Sequence, residues 1–299
     1  MAFKVAIASG KGGTGKTTVA VNLFHQIHQQ LCKSVQLVDC DVEEPNDTLF
    51  FPRKKALNSK EVVQQIPVID TDRCQFCRKC ADYCEFNAIV VLPPARFAEV
   101  NSSLCHSCGA CQYACDYDAI SERPEPIGQV TFFDVGIGNG IAEGRLKIGS
   151  AMQTMMIREL KKTVAQTNDI VIYDAPPGTS CPVVETVADA DYVVLVTEPT
   201  PFGLHDLTLT VELLREVQKP FGVIVNKAGL GNLAVYEYLD QEKIELIGEI
   251  PFSKSYAAQY AKGDILEYMP GEMQTSYLAI IQKLERRMTV YEGDNYFEW

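Results

Sequence analysis

Apolar residues along this chain fall into short runs separated by helical spacings. The run Val5-Ala6-Ile7 leads through a glycine-rich stretch to Val19, Leu23 and Ile27, spaced four apart, and then to a strand-like stretch over 34–38. A spacing of four places one stripe along a helix, and an unbroken apolar run of this length suits a strand covered on both faces. The opening segment therefore predicts strand, loop, helix, strand. Further runs at 169–173, 192–196 and 221–225 are separated by helical patterns such as 204–217. Such alternation predicts an α/β fold, a mostly parallel sheet covered by helices.

One stretch breaks the pattern. Eight of the eleven cysteines lie between Cys74 and Cys115; only Cys32, Cys40 and Cys181 lie outside. The segment from Cys74 to Ile89 repeats from Cys105 to Ile120 with the same cysteine spacing. The copies close on Cys84-Glu85-Phe86-Asn87-Ala88-Ile89 and Cys115-Asp116-Tyr117-Asp118-Ala119-Ile120. We read residues 1–61 and 126–299 as one discontinuous α/β domain and residues 62–125 as a compact inserted module built by duplication. Ile66-Pro67 suits a linker into the insert, and Pro124 and Pro126 a linker out of it.

Composition narrows the chemistry. With 299 residues, 46% hydrophobic and 22% charged, the chain is a soluble globular protein rather than a disordered one. Its formal charge of −12 opposes nucleic acid as a partner. The apolar start is one strand long, too short for a signal sequence, and no later run would span a bilayer, so a cytoplasmic protein without a membrane partner is expected. Cytoplasmic thiols stay reduced, which turns the cysteines from a disulfide framework into metal ligands.

Gly10-Lys11-Gly12-Gly13-Thr14-Gly15-Lys16-Thr17 satisfies G-x-x-x-x-G-K-[ST] between a predicted strand and a predicted helix, where a phosphate-binding loop works. Backbone N–H groups of such a loop surround phosphate oxygens and the helix N-terminus adds its dipole. Lys16 then neutralises β/γ charge and Thr17 offers a hydroxyl to Mg²⁺. The stretch from Ser9 to Thr18, with its second lysine Lys11, resembles the deviant Walker A of the MinD, ParA, Mrp and nitrogenase-iron-protein group of P-loop ATPases. The resemblance implies a nucleotide-sandwich dimer in which Lys11 reaches the partner's phosphates. It also assigns Gly10, Gly12, Gly13, Thr14, Gly15, Lys16, Thr17 and Thr18 to the nucleotide.

Two acidic segments are similar to that family's switches. Asp39-Cys40-Asp41-Val42-Glu43-Glu44-Pro45-Asn46 follows the second strand; by position Asp39 would hold a Mg²⁺-bound water and Asp41 would orient the attacking water. Asp174-Ala175-Pro176-Pro177-Gly178 follows the strand at 170–173; Asp174 would support the metal and Gly178 would swing toward the γ-phosphate. Asn226-Lys227 resembles the base-reading turn, and because Ala228-Gly229 brings no carboxylate to meet guanine, ATP is favoured over GTP.

Cys74-x2-Cys77-x2-Cys80-x3-Cys84 and Cys105-x2-Cys108-x2-Cys111-x3-Cys115 match the spacing of bacterial two-cluster ferredoxins, in which the fourth cysteine serves the other cluster. That likeness implies one [4Fe–4S] cluster on Cys74, Cys77, Cys80 and Cys115, and a second on Cys105, Cys108, Cys111 and Cys84. Zinc is the alternative, disfavoured because a tetrahedral site uses only two such close pairs. Glu85 and Asp116 stand where ferredoxins commonly carry proline, adding charge and an amide whose effects on potential oppose one another.

The remaining features are weaker. Cys32, Cys40 and Cys181 read as buried structural thiols; Cys181, seven residues after Asp174, stands about where nitrogenase-iron-protein relatives carry one of two interface-cluster cysteines, but the second is missing before Asp174, so a subunit-bridging cluster is disfavoured. His25 and His28 read as a solvated helix face, His106 as either surface or a tuner of cluster potential, and Arg53-Lys54-Lys55 as a hydrated lead-in to the insert. The acidic, aromatic tail Tyr291-Glu292-Gly293-Asp294-Asn295-Tyr296-Phe297-Glu298-Trp299 suits docking or packing on its own domain. The whole chain resembles MinD-superfamily P-loop ATPases carrying an inserted two-cluster ferredoxin domain, a small α+β unit. From this we expect an ATPase, slow without its partner, that uses ATP, Mg²⁺ and two [4Fe–4S] clusters. Its own partners are a second copy or a paralogous ATPase, and a redox or metallocluster protein. Assembly of metalloclusters is the alternative task, weakened because no cysteine follows Cys181; spatial organisation of the MinD or ParA kind stands third.

Overall fold

The structure, a computed structural model, describes residues 2–164 and 167–294, with residues 290–294 as backbone alone. Strand β1 (Phe3–Ala8) is the sheet's apolar middle, and the glycine loop turns it into α1 (Lys16–Leu31) before the wholly buried β2 (Val35–Asp39). A short 3-10 turn at Asp47–Phe50 precedes the long β3 (Lys55–Ile69). The cysteine segment holds only small elements: α2 (Lys79–Asp82), β4 (Ile89–Leu92), β5 (Phe97–Val100) and α3 (Ala110–Tyr113). The chain returns along β6 (Ile120–Asp134) and re-enters the sheet through β7 (Ile141–Leu146). From there helices and strands alternate: α4 (Gln153–Lys161), β8 (Ile170–Asp174), α5 (Cys181–Val187), β9 (Tyr192–Thr197), α6 (Pro201–Glu216) and β10 (Phe221–Ala228). The last elements are α7 (Ala234–Gln241), β11 (Leu246–Pro251), α8 (Lys254–Tyr260) and α9 (Gly271–Asp294).

The nine strands of the main sheet lie in the order β11-β10-β9-β1-β8-β2-β7-β6-β3. Neighbours from β11 to β7 are parallel; β7 with β6 and β6 with β3 are antiparallel. Successive β1 side chains point to opposite faces. Phe3, Val5 and Ile7 join Leu23 and Ile27 of α1 and Tyr277 and Ile280 of α9 in one core layer. Ala6 and Ala8 face the other, with Val183, Leu207 and Val211 from α5 and α6. This doubly covered parallel sheet puts the loops after β1, β2, β8 and β10 at one edge, where open α/β sheets bind ligands.

Several expectations are corrected here. Residues 62 and 125 lie inside one antiparallel ribbon that runs from Lys55 opposite Asp134 to Ile69 opposite Ile120, interrupted only by two register shifts. The proline-marked linkers are therefore ladder residues, with Pro67 opposite Glu122, Pro124 opposite Gln65 and Pro126 opposite Val63. Proline lacks a donor, but β3 is the sheet edge and β6 loses its β7 neighbour before Gly128, so both strands have an unpaired side that tolerates it. The part of β6 beyond β7 carries the cysteine module about 25 Å along the strand from the sheet.

Lys54 is part-buried rather than hydrated, its Nζ donating to the Thr48 carbonyl at 2.8 Å. His25 and His28 are half-buried, and His28 Nδ1 accepts from the Gly138 N–H at 3.3 Å. Cys40 is buried, but Cys32, which caps α1, and Cys181, the first residue of α5, are exposed because both sit at helix ends. The helical backbone of α9 continues to Asp294; the side chains of the aromatic tail and residues 295–299 lie outside the described residues. Among the described residues no helix is long and apolar enough to cross a membrane.

Candidate functional site

The glycine loop turns at the mouth of a cavity of about 520 Å³. Gly15 caps α1 in the left-handed region, φ 91°, and a Cβ there would lie 2.2 Å from Asn226 Nδ2. At Gly10 a Cβ would meet the Asp206 carbonyl oxygen at 2.3 Å, so a side chain at either position would push away β10 or α6. The first bond of α1 runs from the Val19 N–H to the Gly15 carbonyl, leaving the amides of Lys16, Thr17 and Thr18 ahead of it, beside a cavity those residues line. No side chain caps the helix, which makes this end an anion site.

Lys16 is nearly fully buried, with Nζ 3.1 Å from Asp174 Oδ1, and Thr17 Oγ1 donates to Asp174 Oδ2 at 2.7 Å. Burial alone would lower the Lys16 pKa, but Asp174, Asp41 and Asp47 outweigh it and leave the ammonium more firmly protonated than usual. Asp39 accepts from the N–H groups of Asp41, Asn46 and Asp47 at 3.1, 2.8 and 3.0 Å, so the first switch is folded around its carboxylate. Burial, then the Asp174 charge, pushes its pKa up to about 8 despite those bonds. Asp41 is half-buried at the cavity wall and is also raised, chiefly by burial. Gly178 of the second switch is tied to the loop by its N–H, which donates to Ser9 O at 3.0 Å.

The sequence reading missed Asp47. It is fully buried, its carboxyl comes within 4.8 Å of those of Asp39 and Asp174, and burial followed by the Asp39 and Asp174 charges raises its pKa well above the usual value, so that its proton bridges to Asp174. Nothing in a polar stretch after the switch marks it; only the 3-10 turn at Asp47–Phe50 brings it inward. Three buried carboxyl groups this close together suit a hard dication that displaces their protons, so these residues fit Mg²⁺.

A pH dependence follows from Asp39. The unfolded aspartate releases its proton near pH 4, whereas the native one keeps it to about pH 8. The native state therefore binds more protons between those values, and stability falls as pH rises through that window, levelling off above it. Thermal melts of nucleotide- and metal-free protein should show the decline, and a rise in melting temperature from pH 5 to 8 would contradict it.

Lys11 is held within its own chain. Its Nζ lies 3.0 Å from Glu198 Oε1 and 3.7 Å from Asp206 Oδ2, and 5.8 Å from the centre of the Phe202 ring. Glu198 also accepts from Lys227 Nζ at 3.0 Å; although burial pushes the Glu198 pKa up, the two lysines hold it below the usual carboxylate value. Asn226 does reach the cavity, but its amide Nδ2 donates to the Thr14 carbonyl at 2.7 Å and so braces the loop. The far wall is aromatic, from Phe252, Tyr256, Tyr260 and Tyr277, and no local motif announced it.

Cys74, Cys77, Cys80 and Cys115 line one small cavity, and Cys84, Cys105, Cys108 and Cys111 line another. The two halves share a backbone shape. Phe76, Arg78 and Asn87 have positive φ in the first, and Ser107, Gly109 and Asp118 at the same offsets in the second. Five of these six are not glycine; Asn87 and Asp118 adopt left-handed backbone readily, but at Phe76, Arg78 and Ser107 it is strained unless something compels it. The turns aim amides at sulfur: Phe76 N–H at Cys74 Sγ, Ala88 N–H at Cys84, Ser107 N–H at Cys105 and Ala119 N–H at Cys115, all 3.3 to 3.4 Å. Two four-thiol cradles with inward amides fit cubane clusters. Burial pushes the Cys111 thiol up to about 11, so it keeps its proton until a metal displaces it. His106 stacks on Phe86 beside the second cradle, with ring centroids 3.7 Å apart.

Compared with known proteins, residues 5–266 match the CobQ/CobB/MinD/ParA nucleotide binding domain. An uncharacterised protein of Methanocaldococcus jannaschii is 30% identical over 263 residues, 87% of this chain and 90% of that protein. The iron-sulfur cluster carrier protein of Pyrococcus abyssi is 23% identical over 311 residues, 98% of this chain and 88% of that protein. Among solved structures, the septum site-determining protein MinD of Pyrococcus horikoshii, complexed with Mg-ADP, superposes with a TM-score of 0.60 at 18% identity, covering 95% of this chain and 96% of that one. A likeness at that identity speaks for the fold.

Proposed function

We propose that this chain, which belongs to the CobQ/CobB/MinD/ParA nucleotide-binding family, hydrolyses ATP and couples a nucleotide-dependent dimer switch to electron transfer through two [4Fe–4S] clusters. The family consists of P-loop ATPases, and the deviant loop assigns Lys11 a role across a dimer of two copies or of paralogues. The observation that carries the coupling is the join between the first switch and the ribbon. Thr48 Oγ1, one residue past Asp47, donates to the buried Glu143 Oε2 on β7 at 2.9 Å. Lys54 Nζ grips the Thr48 carbonyl at 2.8 Å, and β3 begins at the next residue. A switch that moves when phosphate binds or leaves thus pulls on the base of the arm that bears the cysteines.

In this reading the segment between Ile69 and Ile120 forms the inserted cluster module, and the ribbon that carries it runs through the expected boundaries at 62 and 125 into the sheet. Lys16 and the amides at the start of α1 hold the β- and γ-phosphates. Thr17 and Asp39 hold Mg²⁺, Asp41 at the cavity wall orients water, and Asp174 positions Lys16 and Thr17. Lys11 leaves Glu198 and Asp206 when a partner's phosphate offers it a stronger anion. The clusters, when bound, would supply one-electron transfer; the cysteines would hold them and the inward amides would tune their potential. A redox titration with and without Mg·ATP tests the coupling. The expected result is a shift of at least about 60 mV in one midpoint, a tenfold change in a one-electron equilibrium. Identical midpoints and identical donor rates would remove the idea.

The likeness to iron-sulfur cluster carrier proteins supports a second reading, in which ATP drives assembly or delivery of a cluster. Reconstitution of an apo iron-sulfur target separates them, because a carrier loses iron to the target in step with activation whereas an electron donor keeps it.

A further inference from the structure

The cradle of Cys74, Cys77, Cys80 and Cys115 and the cradle of Cys84, Cys105, Cys108 and Cys111 match in burial and in hydrogen bonding. In each, one cysteine is buried, two are partly exposed and one is exposed. Each receives two backbone amides at sulfur, from Phe76 and Ala119 in the first and from Ser107 and Ala88 in the second. Solvent exposure and amide donation, two of the levers on a cluster's potential, therefore act alike on both.

Charge breaks the match. Arg78 and Lys79 line the first cradle and, among the described residues, no Asp or Glu does; Glu122 and His106 line the second and no Lys or Arg does. Because Cys74 corresponds to Cys105, Gly109 stands where the first half has Arg78, and Ala110 where it has Lys79. Lys79 forms an ion pair with Asp116, the residue after Cys115, and so neutralises the acid that follows the first cradle's fourth ligand. Glu85, the corresponding acid after Cys84, has Ala110 in place of that lysine. Arg78 donates to the Val91 carbonyl at 3.2 Å and lies 3.6 Å from Asp82. It also holds left-handed backbone, φ 71°, where Gly109 does so without strain, so a cation is kept here at a conformational cost. Even with both ion pairs counted as neutral, these groups leave the first cradle uncharged, whereas Glu85 and Glu122 leave the second negative. Reduction adds one negative charge, which carboxylates oppose and a nearby ammonium favours.

We propose that the module is redox-polarised, so that the first electron to enter settles at Cys74, Cys77, Cys80 and Cys115, held there by Lys79, and the site of Cys84, Cys105, Cys108 and Cys111 is the harder to reduce. This rests on the two-cluster reading and is independent of ATP. The step is a single electron, taken from a low-potential donor such as a reduced flavin or iron–sulfur protein. The donor is oxidised as one cluster goes from 2+ to 1+; no proton moves and no bond forms. Gln65 and Pro67 of the ribbon line the second cradle, whereas the first lies against Ile69 and Ile120, where the ribbon ends. Along the arm the electron therefore comes to rest on the side away from the sheet.

Anaerobically purified full-length protein, free of nucleotide, is first assayed for iron and acid-labile sulfide. About eight of each per chain are required, and a lower content that reconstitution does not restore overturns the cluster reading and the proposal with it. Titration at pH 8, above the ordinary range of imidazole, is then followed by electron paramagnetic resonance. Two midpoints at least about 60 mV apart are expected, a tenfold preference for one cluster. Lys79→Gln should lower the higher midpoint and leave the other, Lys79→Arg should keep both, and Ala110→Lys should raise the lower one. Lys60→Gln, at an exposed lysine of β3, should move neither. With both clusters intact, the proposal is overturned if the parent midpoints coincide, if Lys79→Gln moves the lower midpoint or neither, or if Lys60→Gln has as large an effect. Should Lys79→Gln fail to load its clusters, Ala110→Lys decides: no rise in the lower midpoint overturns the proposal.

Discussion

Lys16→Ala should lower ATP turnover by about 10²- to 10³-fold, the usual cost of removing one preorganised donor from a developing oxyanion, and should weaken nucleotide binding as well. The expectation rests on how closely the ammonium is confined. Its side chain is 7% exposed and its Nζ lies 3.1 Å from Asp174, so it is held at the loop rather than sampling solvent. Removal leaves Asp39, Asp47 and Asp174 facing one another with no cation among them. Breaking one partner of a buried pair generally costs about 3–5 kcal/mol, though protonation of an already raised Asp39 or Asp47 softens that loss here. Equilibrium nucleotide binding, steady-state hydrolysis and a melt on the same sample separate the effects. Lys11→Ala is the informative contrast. Its partners are Glu198, just after β9, and Asp206 in α6, so its loss should spare binding by the single chain and abolish turnover that requires the dimer. Wild-type hydrolysis by Lys16→Ala would end the phosphate-loop reading altogether.

What was legible in the sequence divides along physical lines. The loop from Gly10 to Thr17 was readable because its function needs fixed residue types at consecutive positions, and the cysteine repeats were readable for the same reason. The buried strands β1, β2, β8 and β9 announced themselves as mostly apolar runs. The ribbon was misread because proline signals a break when each strand is assumed to have two neighbours, and β3 has one. Asp47 was invisible because its role depends on a turn closing over 47–50, which one carboxylate in a polar segment does not advertise. The aromatic wall lay equally beyond reach: Phe252, Tyr256 and Tyr277 come from β11's end, α8 and α9, far from the loop they face. Local spacing encodes local chemistry, whereas a cavity wall assembled from distant elements leaves no periodic trace.

Cys111→Ser and Cys84→Ser should remove the same cluster, although they lie in different repeats, and each should lower iron from about eight to about four atoms per chain. The two residues line one cavity with Cys105 and Cys108, while Cys80 lines the other with Cys74, Cys77 and Cys115. If each repeat held its own cluster, Cys84→Ser would instead match Cys80→Ser. Iron analysis with low-temperature paramagnetic resonance of the reduced variants distinguishes these outcomes, since the surviving signal identifies the lost site. Stability should follow ligation. The module's buried apolar cluster is small, Phe76, Cys80, Ile89, Val91, Cys111 and Ile120, and two of these six are cradle cysteines. Such a core is too small to hold the strained left-handed turns without a cluster to wrap. Proteolysis of iron-depleted protein should therefore cut first within 70–119, leaving the α/β sheet intact, because the ribbon that carries the module ends at Ile69 and Ile120 and the sheet's own core lies beyond it. Equal resistance of the iron-loaded and iron-depleted forms would mean that the module folds on its apolar residues alone and that the cysteines hold nothing the fold requires.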